Sequence, residues 1–336
     1  MMNEKLNVLF DSLFENIVGQ ADAKRKLKFY MGGYAASRKA PYFMLCGAKG
    51  QGKTTLAKEL GNGYCLFNSS DEPVVDATTG KPVAKAFLEI NASAIKSVSS
   101  LINGLIIPYV QDKDVTVFID EAHELKDDVT NALLTILAPG ADNTQYTLEE
   151  YTCDFDHKRQ SFIFATSESQ KVFSPLMDRM TRIDLTDYTS EEMAGIIRKH
   201  SYGIKYDPIA LDDIVTVLRA NARSAAKTAF DIKIYLQTSM NLTLDNWKDL
   251  KNILGIKPLG LNATEINVLR YLKENSSGTS LTRLSAKTGF SKEALQKDFE
   301  LWLMKHNLMT IETSGRHITS LGIIYLKELD KSTVIP

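Results

Sequence analysis

The sequence is poor in the features that mark secreted, membrane-spanning or disulfide-stabilised proteins. Its 336 residues include only three cysteines, Cys46, Cys65 and Cys153. An odd number of scattered cysteines argues against a disulfide framework or a zinc site and favours a reducing, cytoplasmic environment. No apolar run approaches the roughly 20 residues needed to cross a bilayer, so we expect no membrane partner. Residues 1–5 also lack the charged-then-apolar layout of a secretory signal.

A strong excess of charge of either sign is also missing. The chain has 40 basic and 41 acidic residues, for a formal net charge of −1. This balance excludes a globally basic nucleic-acid coat but leaves local patches open. The apolar fraction of 44% and the charged fraction of 24% are typical of a globular protein. A chain of this length exceeds one ordinary core and predicts two or three domains.

A glycine-rich segment at 47–54 reads GAKGQGKT and matches the pattern GxxxxGK[ST] at every fixed position. Its glycines allow backbone angles that turn successive N–H groups toward a polyphosphate. Lys53 can place its charge on the β and γ phosphates, and the hydroxyl of Thr54 can bind Mg²⁺. An apolar run at 42–46 predicts a buried strand before the segment, and a helix should follow it. The sequence therefore predicts a nucleotide site, with contacts from Gly47, Gly50, Gly52, Lys53, Thr54 and Thr55.

A second apolar strand, predicted at 115–119, runs directly into two carboxylates. Asp120, at the end of the strand, is placed to hold Mg²⁺ through water. Glu121 is placed to orient and polarise an attacking water. An acidic pair after an apolar strand is common by itself, but together with the glycine-rich segment it indicates nucleotide hydrolysis. His123 is explained as well by the start of a helix as by a catalytic role.

The sequences GAKGQGKTT at 47–55 and VTVFIDEAHEL at 115–125 together resemble an AAA+ ATPase. The resemblance implies ATP and Mg²⁺ as ligands. The upstream sequence ENIVGQ is similar to the stretch that lies over the adenine in that superfamily, which implies contacts from Ile17 and Val18. Ser167, after the apolar sequence FIFAT, stands where these proteins place a polar "sensor 1" residue near the γ-phosphate. A strand-end cap is the alternative role for this serine.

Three further positions resemble AAA+ residues that contact the nucleotide. In SPLMDRM, Arg179 resembles the arginine finger that one subunit inserts into its neighbour's site, with Arg182 as a rival. A guanidinium suits this task because it stays charged and can bridge two phosphate oxygens. The sequence YTSEE, starting at Tyr188, reads as a capping box that opens a helix beside the nucleotide. Arg223 resembles the "sensor 2" arginine of the helical lid, unless it is simply a solvated residue at a helix start.

The C-terminal part has a different pattern, separated from the rest by a linker at 255–260. Three helices are predicted, with the spacing of a helix-turn-helix, at 263–274, 281–288 and 291–305. A two-stranded wing should follow, with Arg316 at its tip. A winged helix usually binds DNA, which makes Arg316 the predicted DNA contact. From 261 to 336 there are ten basic and eight acidic residues, so a protein-binding or architectural role stays open.

The order of parts resembles the RuvB family of Holliday-junction branch-migration motors, as do GLN at 260–262 and LWLMKHNL at 301–308. The fold class expected is α/β: an AAA+ P-loop NTPase core at 1–185, a helical lid at 186–256 and a C-terminal winged-helix domain at 257–336. The resemblance implies a homo-oligomeric ring, a hexamer, that translocates duplex or four-way-junction DNA in recombination and repair. An AAA+ loader that places a clamp or helicase on DNA is the alternative.

Two segments depart from the pattern of that family. The region 138–160 alternates weakly like a hairpin, yet it is acidic and poor in aliphatic residues. In the family this hairpin uses an apolar face to engage the adaptor RuvA, so a RuvA-like adaptor is in question here. An apparent insertion at 64–86 reads as a turn-rich surface excursion.

Overall fold

A computed structural model of the chain describes residues 9–10, 12–149 and 151–332. The segment considered above for a secretory signal, 1–5, lies outside these residues. The chain divides into two compact units, one comprising Met1–His200 and Ala220–Thr228 and the other Ser201–Arg219 and Ala229–Pro336. These boundaries differ from those of the three domains proposed from the sequence, which stay a prediction.

Unit 1 is built on a five-stranded parallel sheet. Its strands are β1 (Phe43–Cys46), β2 (Ala86–Asn91), β3 (Val115–Asp120), β6 (Gln160–Thr166) and β7 (Thr181–Asp184). Their order across the sheet is β2-β3-β6-β1-β7. Every residue of β1 and β6 is buried, as expected for parallel strands covered on both faces. The strands predicted around 42–46, 115–119 and 162–166 are therefore confirmed.

Helices cover both faces of this sheet. They are α1 (Ala21–Ser37), α2 (Lys53–Asn62), α3 (Val98–Leu101, continued by the π-helical turn Ile102–Ile106 and by Ile107–Tyr109), α4 (Asp127–Ile136), α5 (Ser174–Met177) and α6 (Ser190–His200). Alternate strand residues enter opposite cores: Phe43 and Leu45 pack in one cluster, and Met44 in the other. At the start of α6 the Thr189 N–H donates to Glu192 (2.8 Å) and the Glu192 N–H to Thr189 (3.2 Å), which confirms the predicted capping box.

The region 138–160 forms the expected hairpin, from β4 (Asn143–Leu148) and β5 (Tyr151–Asp156). Cys153 and Phe155 are buried in the core of unit 1. The opposite face is polar, with a hydrogen bond of 2.6 Å from Gln145 to Asp154. Tyr151 is 59% exposed near the end of the hairpin. The outward face of this hairpin is thus polar rather than aliphatic.

The insertion at 64–86 is folded. Isolated antiparallel bridges join Cys65 to Ala84 and Val75 to Pro82. At its turn, Asp76 Oδ1 accepts the N–H groups of the two threonines that follow, at 2.9 and 2.7 Å. The turn-rich excursion expected from the sequence is confirmed, and isolated bridges hold its two sides together.

Unit 2 contains mostly helices. They are α7 (Pro208–Val217), α9 (Leu244–Leu254), α10 (Ala263–Glu274), α11 (Leu281–Thr288), α12 (Lys292–Ala294, the π-helical segment Leu295–Glu300, and Leu301–Lys305) and α13 (Ser320–Ser332). Helix α8 (Ala222–Leu236) begins in unit 1 and ends in unit 2. Short strands β8 (Lys205–Tyr206) and β9 (Asn241–Leu242) pair in parallel. The predicted helices at 263–274 and 281–288 are confirmed at both ends. Among the residues described, no helix combines the length and apolarity needed to cross a bilayer.

The wing is present, but its arginine is not at the tip. Strands β10 (Met309–Glu312) and β11 (Gly315–Ile318) pair so that Arg316 lies opposite Ile311 within the ladder. The guanidinium of Arg316 binds both carboxylate oxygens of Glu300, at 2.8 and 3.2 Å, and these side chains are 12% and 2% exposed. The predicted position at an exposed tip is therefore wrong. The buried carboxylate of Glu300 draws the arginine inward, because a buried charge needs a partner.

A second buried ion pair lies within unit 2. Arg219 binds both oxygens of Glu265, at 2.8 and 2.6 Å, and the Glu265 side chain has no exposed surface. The guanidinium carbon of Arg219 also lies 5.0 Å from the ring centre of Trp302. This arrangement links the segment that follows α7 to the first helix of the winged helix and to α12.

We predict that Glu265→Ala destabilises unit 2 by about 3 kcal/mol, because it leaves the charge of Arg219 without its buried partner. Arg270→Ala, which removes a half-exposed ion pair with Asp330, is the matched control and should cost less than about 1 kcal/mol. The measurement is denaturant unfolding followed by tryptophan fluorescence, since Trp247 and Trp302 both lie in unit 2. Equal midpoints for the two variants would contradict the prediction.

Candidate nucleotide-binding site

The glycine-rich segment joins β1 to α2 and takes a conformation that requires glycine. Gly50 and Gly52 have φ angles of 87° and 88°, in the left-handed region. A Cβ at residue 50 would come within 2.3 Å of the Asn221 side chain, and one at residue 52 within 2.7 Å of the Tyr188 hydroxyl. Backbone angle and space therefore both exclude larger residues at these positions.

Lys53 is held over this turn. The residue is 7% exposed, and its Nζ donates to the carbonyls of Gly47 (2.7 Å) and Ala48 (3.1 Å). Burial lowers the pKa of Lys53, and the nearby carboxylates of Glu121 and Asp120 partly oppose that shift. The arrangement keeps a positive charge at the point where a phosphate would be cradled.

The two predicted metal ligands lie together. Thr54 Oγ1 donates to Asp120 Oδ2 at 3.2 Å, so β3 and the start of α2 meet at one point. No group of three His, Cys, Asp or Glu side chains within the described ranges is arranged to hold a metal by itself. One hydroxyl and one carboxylate nevertheless fit Mg²⁺, which usually takes few protein ligands and completes its shell with phosphates and water.

A cavity of about 510 Å³ opens over these residues. Its lining is Lys49, Gly50, Gly52, Lys53, Thr54, Thr55, Asp120, Glu121, His200, Ala222, Arg223 and Ala226. Eight of the residues proposed from the sequence are therefore brought to one cavity. His200, Ala222 and Ala226 were missed, because no sequence motif links the end of α6 and the start of α8 to the glycine-rich segment; Lys49 was missed because it stands at a variable position of the GxxxxGK[ST] pattern.

A smaller pocket of about 80 Å³ adjoins the first and has a more apolar lining. It is lined by Asn16, Ile17, Val18, Gln20, Gly52, Thr55, Leu56, Tyr188, Ile196, Lys199, His200 and Ala222. The Tyr188 hydroxyl donates to the Gln51 carbonyl at 2.9 Å. Ile17, Val18 and Tyr188, which were predicted to contact the nucleotide, are thus brought to one pocket, and their contact with a base stays a prediction. Gln20, which bonds Thr186 at 2.8 and 3.0 Å, was missed because its partner is distant in sequence.

The start of α8 is hydrogen-bonded to the glycine-rich segment. The Ala222 N–H donates to the Gly50 carbonyl at 3.0 Å. The Asn221 side chain caps the helix by accepting the N–H groups of Arg223 (3.0 Å) and Ser224 (3.1 Å). These contacts place Arg223 at the cavity, as expected for a residue that reaches the γ-phosphate within its own subunit. Its role there stays a prediction.

Glu121 lies at the cavity in an unusual backbone conformation, with φ of 53°. Its Oε2 accepts hydrogen bonds from Ser167 Oγ (2.8 Å) and from the Ser167 N–H (3.3 Å). Burial acts to raise the pKa of Glu121, but the Ser167 hydrogen bonds and the charge of Lys53 outweigh it and lower the pKa below its usual value. The carboxylate is therefore kept ionised, as a group that accepts a proton from water must be. Ser167 itself faces Glu121 and does not appear in the lining of the cavity.

Arg179 lies away from this cavity. Its guanidinium donates to the carbonyls of Leu134 and Leu137 (3.3 Å for the second), at the C-terminal end of α4. The rival Arg182 pairs with Asp184 at 2.7 Å, and both side chains are about half exposed. A role for Arg179 in a neighbouring subunit stays a prediction.

Comparison with known proteins assigns both parts of the chain. Residues 43–188 match the model of the ATPase family associated with various cellular activities (AAA). Residues 258–327 match the RuvB C-terminal winged helix domain. The predicted fold class, an AAA+ P-loop core followed by a winged helix, is therefore confirmed.

Whole-length relatives agree with these matches. The Holliday junction branch migration complex subunit RuvB of Ehrlichia canis is 26% identical, over 94% of this chain and 92% of the relative. The protein of that name from Mycoplasmopsis pulmonis is also 26% identical, over 94% and 96%. The structure of the Thermotoga maritima RuvB Holliday junction branch migration motor matches with a TM-score of 0.69 at 20% identity, over 92% of this chain and 95% of that one. The chain thus carries an AAA ATPase domain followed by a RuvB-type winged helix domain, the composition of a RuvB-like ATP-hydrolysing enzyme.

Proposed function

We propose that this protein is an ATP-driven DNA motor that forms a hexameric ring and moves duplex DNA at four-way junctions. The observation that carries the proposal is the convergence of Lys53, Thr54, Asp120 and Glu121 on one cavity in a chain that also has a RuvB-type winged helix. The relatives named above are branch migration complex subunits, and the match to this chain covers nearly their whole length. DNA recombination and repair are the corresponding processes.

Within the site, each side chain has a distinct task. Lys53 and the backbone of the glycine-rich segment bind the β and γ phosphates, and Arg223 reaches the γ-phosphate from the start of α8. Thr54 and Asp120 would hold Mg²⁺, which neutralises phosphate charge when bound. Glu121 orients the attacking water and accepts its proton, while Ser167 fixes the carboxylate. Ile17, Val18 and Tyr188 enclose the base.

Arg179 supplies the link between hydrolysis and assembly in this proposal. An arginine finger stabilises the charge that develops on the transferred phosphoryl group and is typically worth 10³–10⁵ in rate. In the single chain its guanidinium rests on two backbone carbonyls. A neighbour's γ-phosphate, which carries full negative charge, is a stronger partner than a carbonyl.

The ion pair of Arg316 with Glu300 argues against the DNA contact that the sequence predicted for this arginine. Releasing Arg316 to bind a phosphate would leave the buried carboxylate of Glu300 unpaired. We therefore assign Arg316 to support of the wing and leave DNA contact to exposed residues of the wing and α12. A RuvA-like adaptor that docks on the β4–β5 hairpin would meet a polar, acidic face around Gln145 and Asp154.

We predict that the ATPase rate rises on addition of DNA, and that the protein branch-migrates a synthetic four-way junction. An ATPase rate that is the same with and without duplex or four-way DNA would contradict the motor proposal. DNA-stimulated hydrolysis without branch migration would indicate a loader instead.

Glu121→Gln should lower the ATPase rate by at least about 10²-fold, because the amide cannot accept the proton of water. Nucleotide binding should be retained in that variant, since the phosphate contacts are intact.

A mixing experiment tests the role of Arg179 in a neighbour's site. Arg179→Ala and Glu121→Gln should each have a very low ATPase rate when assayed alone. The rate of Arg179→Ala should be roughly 10³-fold below that of the wild type. Mixed together they should recover activity, because an intact Glu121 then faces an intact Arg179 across some interfaces. Arg182→Ala, which loses only a half-exposed pair with Asp184, is the control and should stay near the wild-type rate. If the mixture stays inactive, Arg179 does not act in trans.

A further inference from the structure

His123 has no part in the steps above, yet it is built into the site. It belongs to the short 3₁₀ turn Ala122–Glu124 that follows β3, two residues after Glu121. Its side chain is only 6% exposed. A polar ring buried to this extent needs hydrogen-bond partners, so its surroundings are informative.

The imidazole of His123 joins the ends of two neighbouring strands. Its Nδ1 lies 3.0 Å from Thr166 Oγ1, at the end of β6, and 3.5 Å from Glu121 Oε2. Its Nε2 faces Glu124 at 3.4 Å and Glu168 at 3.9 Å. Each ring nitrogen therefore lies close to one residue that follows β3 and to one residue at or just after the end of β6.

This link matters because Glu121 is held in a strained conformation. Its φ of 53° and ψ of 48° lie in the left-handed region, which costs free energy for a residue with a Cβ. Such a conformation persists only where the surroundings impose it. Asp120 Oδ1 accepts the Glu121 N–H at 2.8 Å on one side, and Ser167 holds the carboxylate. His123 anchors the turn on the other side.

We propose that His123 is a positioning residue for ATP hydrolysis. By tying the Ala122–Glu124 turn to Thr166, it keeps the carboxylate of Glu121 at the place from which water is oriented. His123 does not appear in the cavity lining, so it acts through Glu121 and not on the phosphates. The inference rests on the proposed role of Glu121 in hydrolysis.

The test compares His123→Ala with His123→Asn in the full-length protein, using steady-state ATPase assays and calorimetric titration with ADP. The alanine variant should lose about 10- to 100-fold in kcat, since a shift of about 1 Å in a catalytic group can cost 10²-fold, while ADP affinity changes less than about twofold. The asparagine variant should recover most of kcat, because its amide can replace Nδ1 against Thr166. An unchanged kcat, a parallel loss of ADP affinity, or an asparagine variant no better than alanine would each overturn the proposal.

Glu121→Gln, measured beside these variants, separates this inference from the function on which it rests. If Glu121→Gln hydrolyses ATP like the wild type, the assigned role of Glu121 fails, and the inference falls with it. If Glu121→Gln is inactive but His123→Ala is fully active, only the inference about His123 fails. Adding His123→Ala to Glu121→Gln should lower the remaining rate by less than about twofold, because both changes act on the same step.

Discussion

The parallel pairing of β6 between β1 and β3 is the constraint on which the whole site depends. Cys46 pairs with Thr166 in β6, and Ile119 of β3 pairs with Phe164. The three strands consequently end at the same edge of the sheet, where a parallel α/β fold binds its ligands. The glycine-rich segment, the acidic pair and the serine after β6 are brought together by this register alone, although over 100 residues separate the first from the last.

Buried charge plays a similar organising part in unit 2. Arg219–Glu265 and Arg316–Glu300 are both bidentate pairs in which the carboxylate is almost fully buried. Such pairs add little net stability compared with apolar packing, but breaking one leaves an uncompensated charge. They therefore restrict the arrangements that the winged helix can adopt. The same property explains why an arginine near a wing need not face DNA.

Sequence reasoning succeeded where chemistry is local and failed where it depends on partners distant in the chain. The phosphate segment, the acidic pair, the capping box and the helices 263–274 and 281–288 all follow from spacing and residue type. The inward turn of Arg316 could not be foreseen, because Glu300 lies sixteen residues earlier and its burial depends on tertiary packing. His200 was missed for the same reason: nothing in the sequence shows that the end of α6 reaches the cavity.

In the single chain, the charged side chains of Lys53, Glu121 and Arg179 each already have a hydrogen-bond partner. Lys53 rests on two carbonyls of the glycine-rich segment, Glu121 on Ser167, and Arg179 on the carbonyls at the end of α4. In the proposed reaction a phosphate oxygen would displace the contacts of Lys53 and Arg179, whereas Ser167 would keep its hold on the Glu121 carboxylate. An ammonium or guanidinium gains more from an anionic phosphate than from a neutral carbonyl, so ATP can release Lys53. Arg179 lies outside the cavity of its own chain, so in the proposed ring only a neighbour's phosphate would draw it from these carbonyls, and hydrolysis would then depend on assembly.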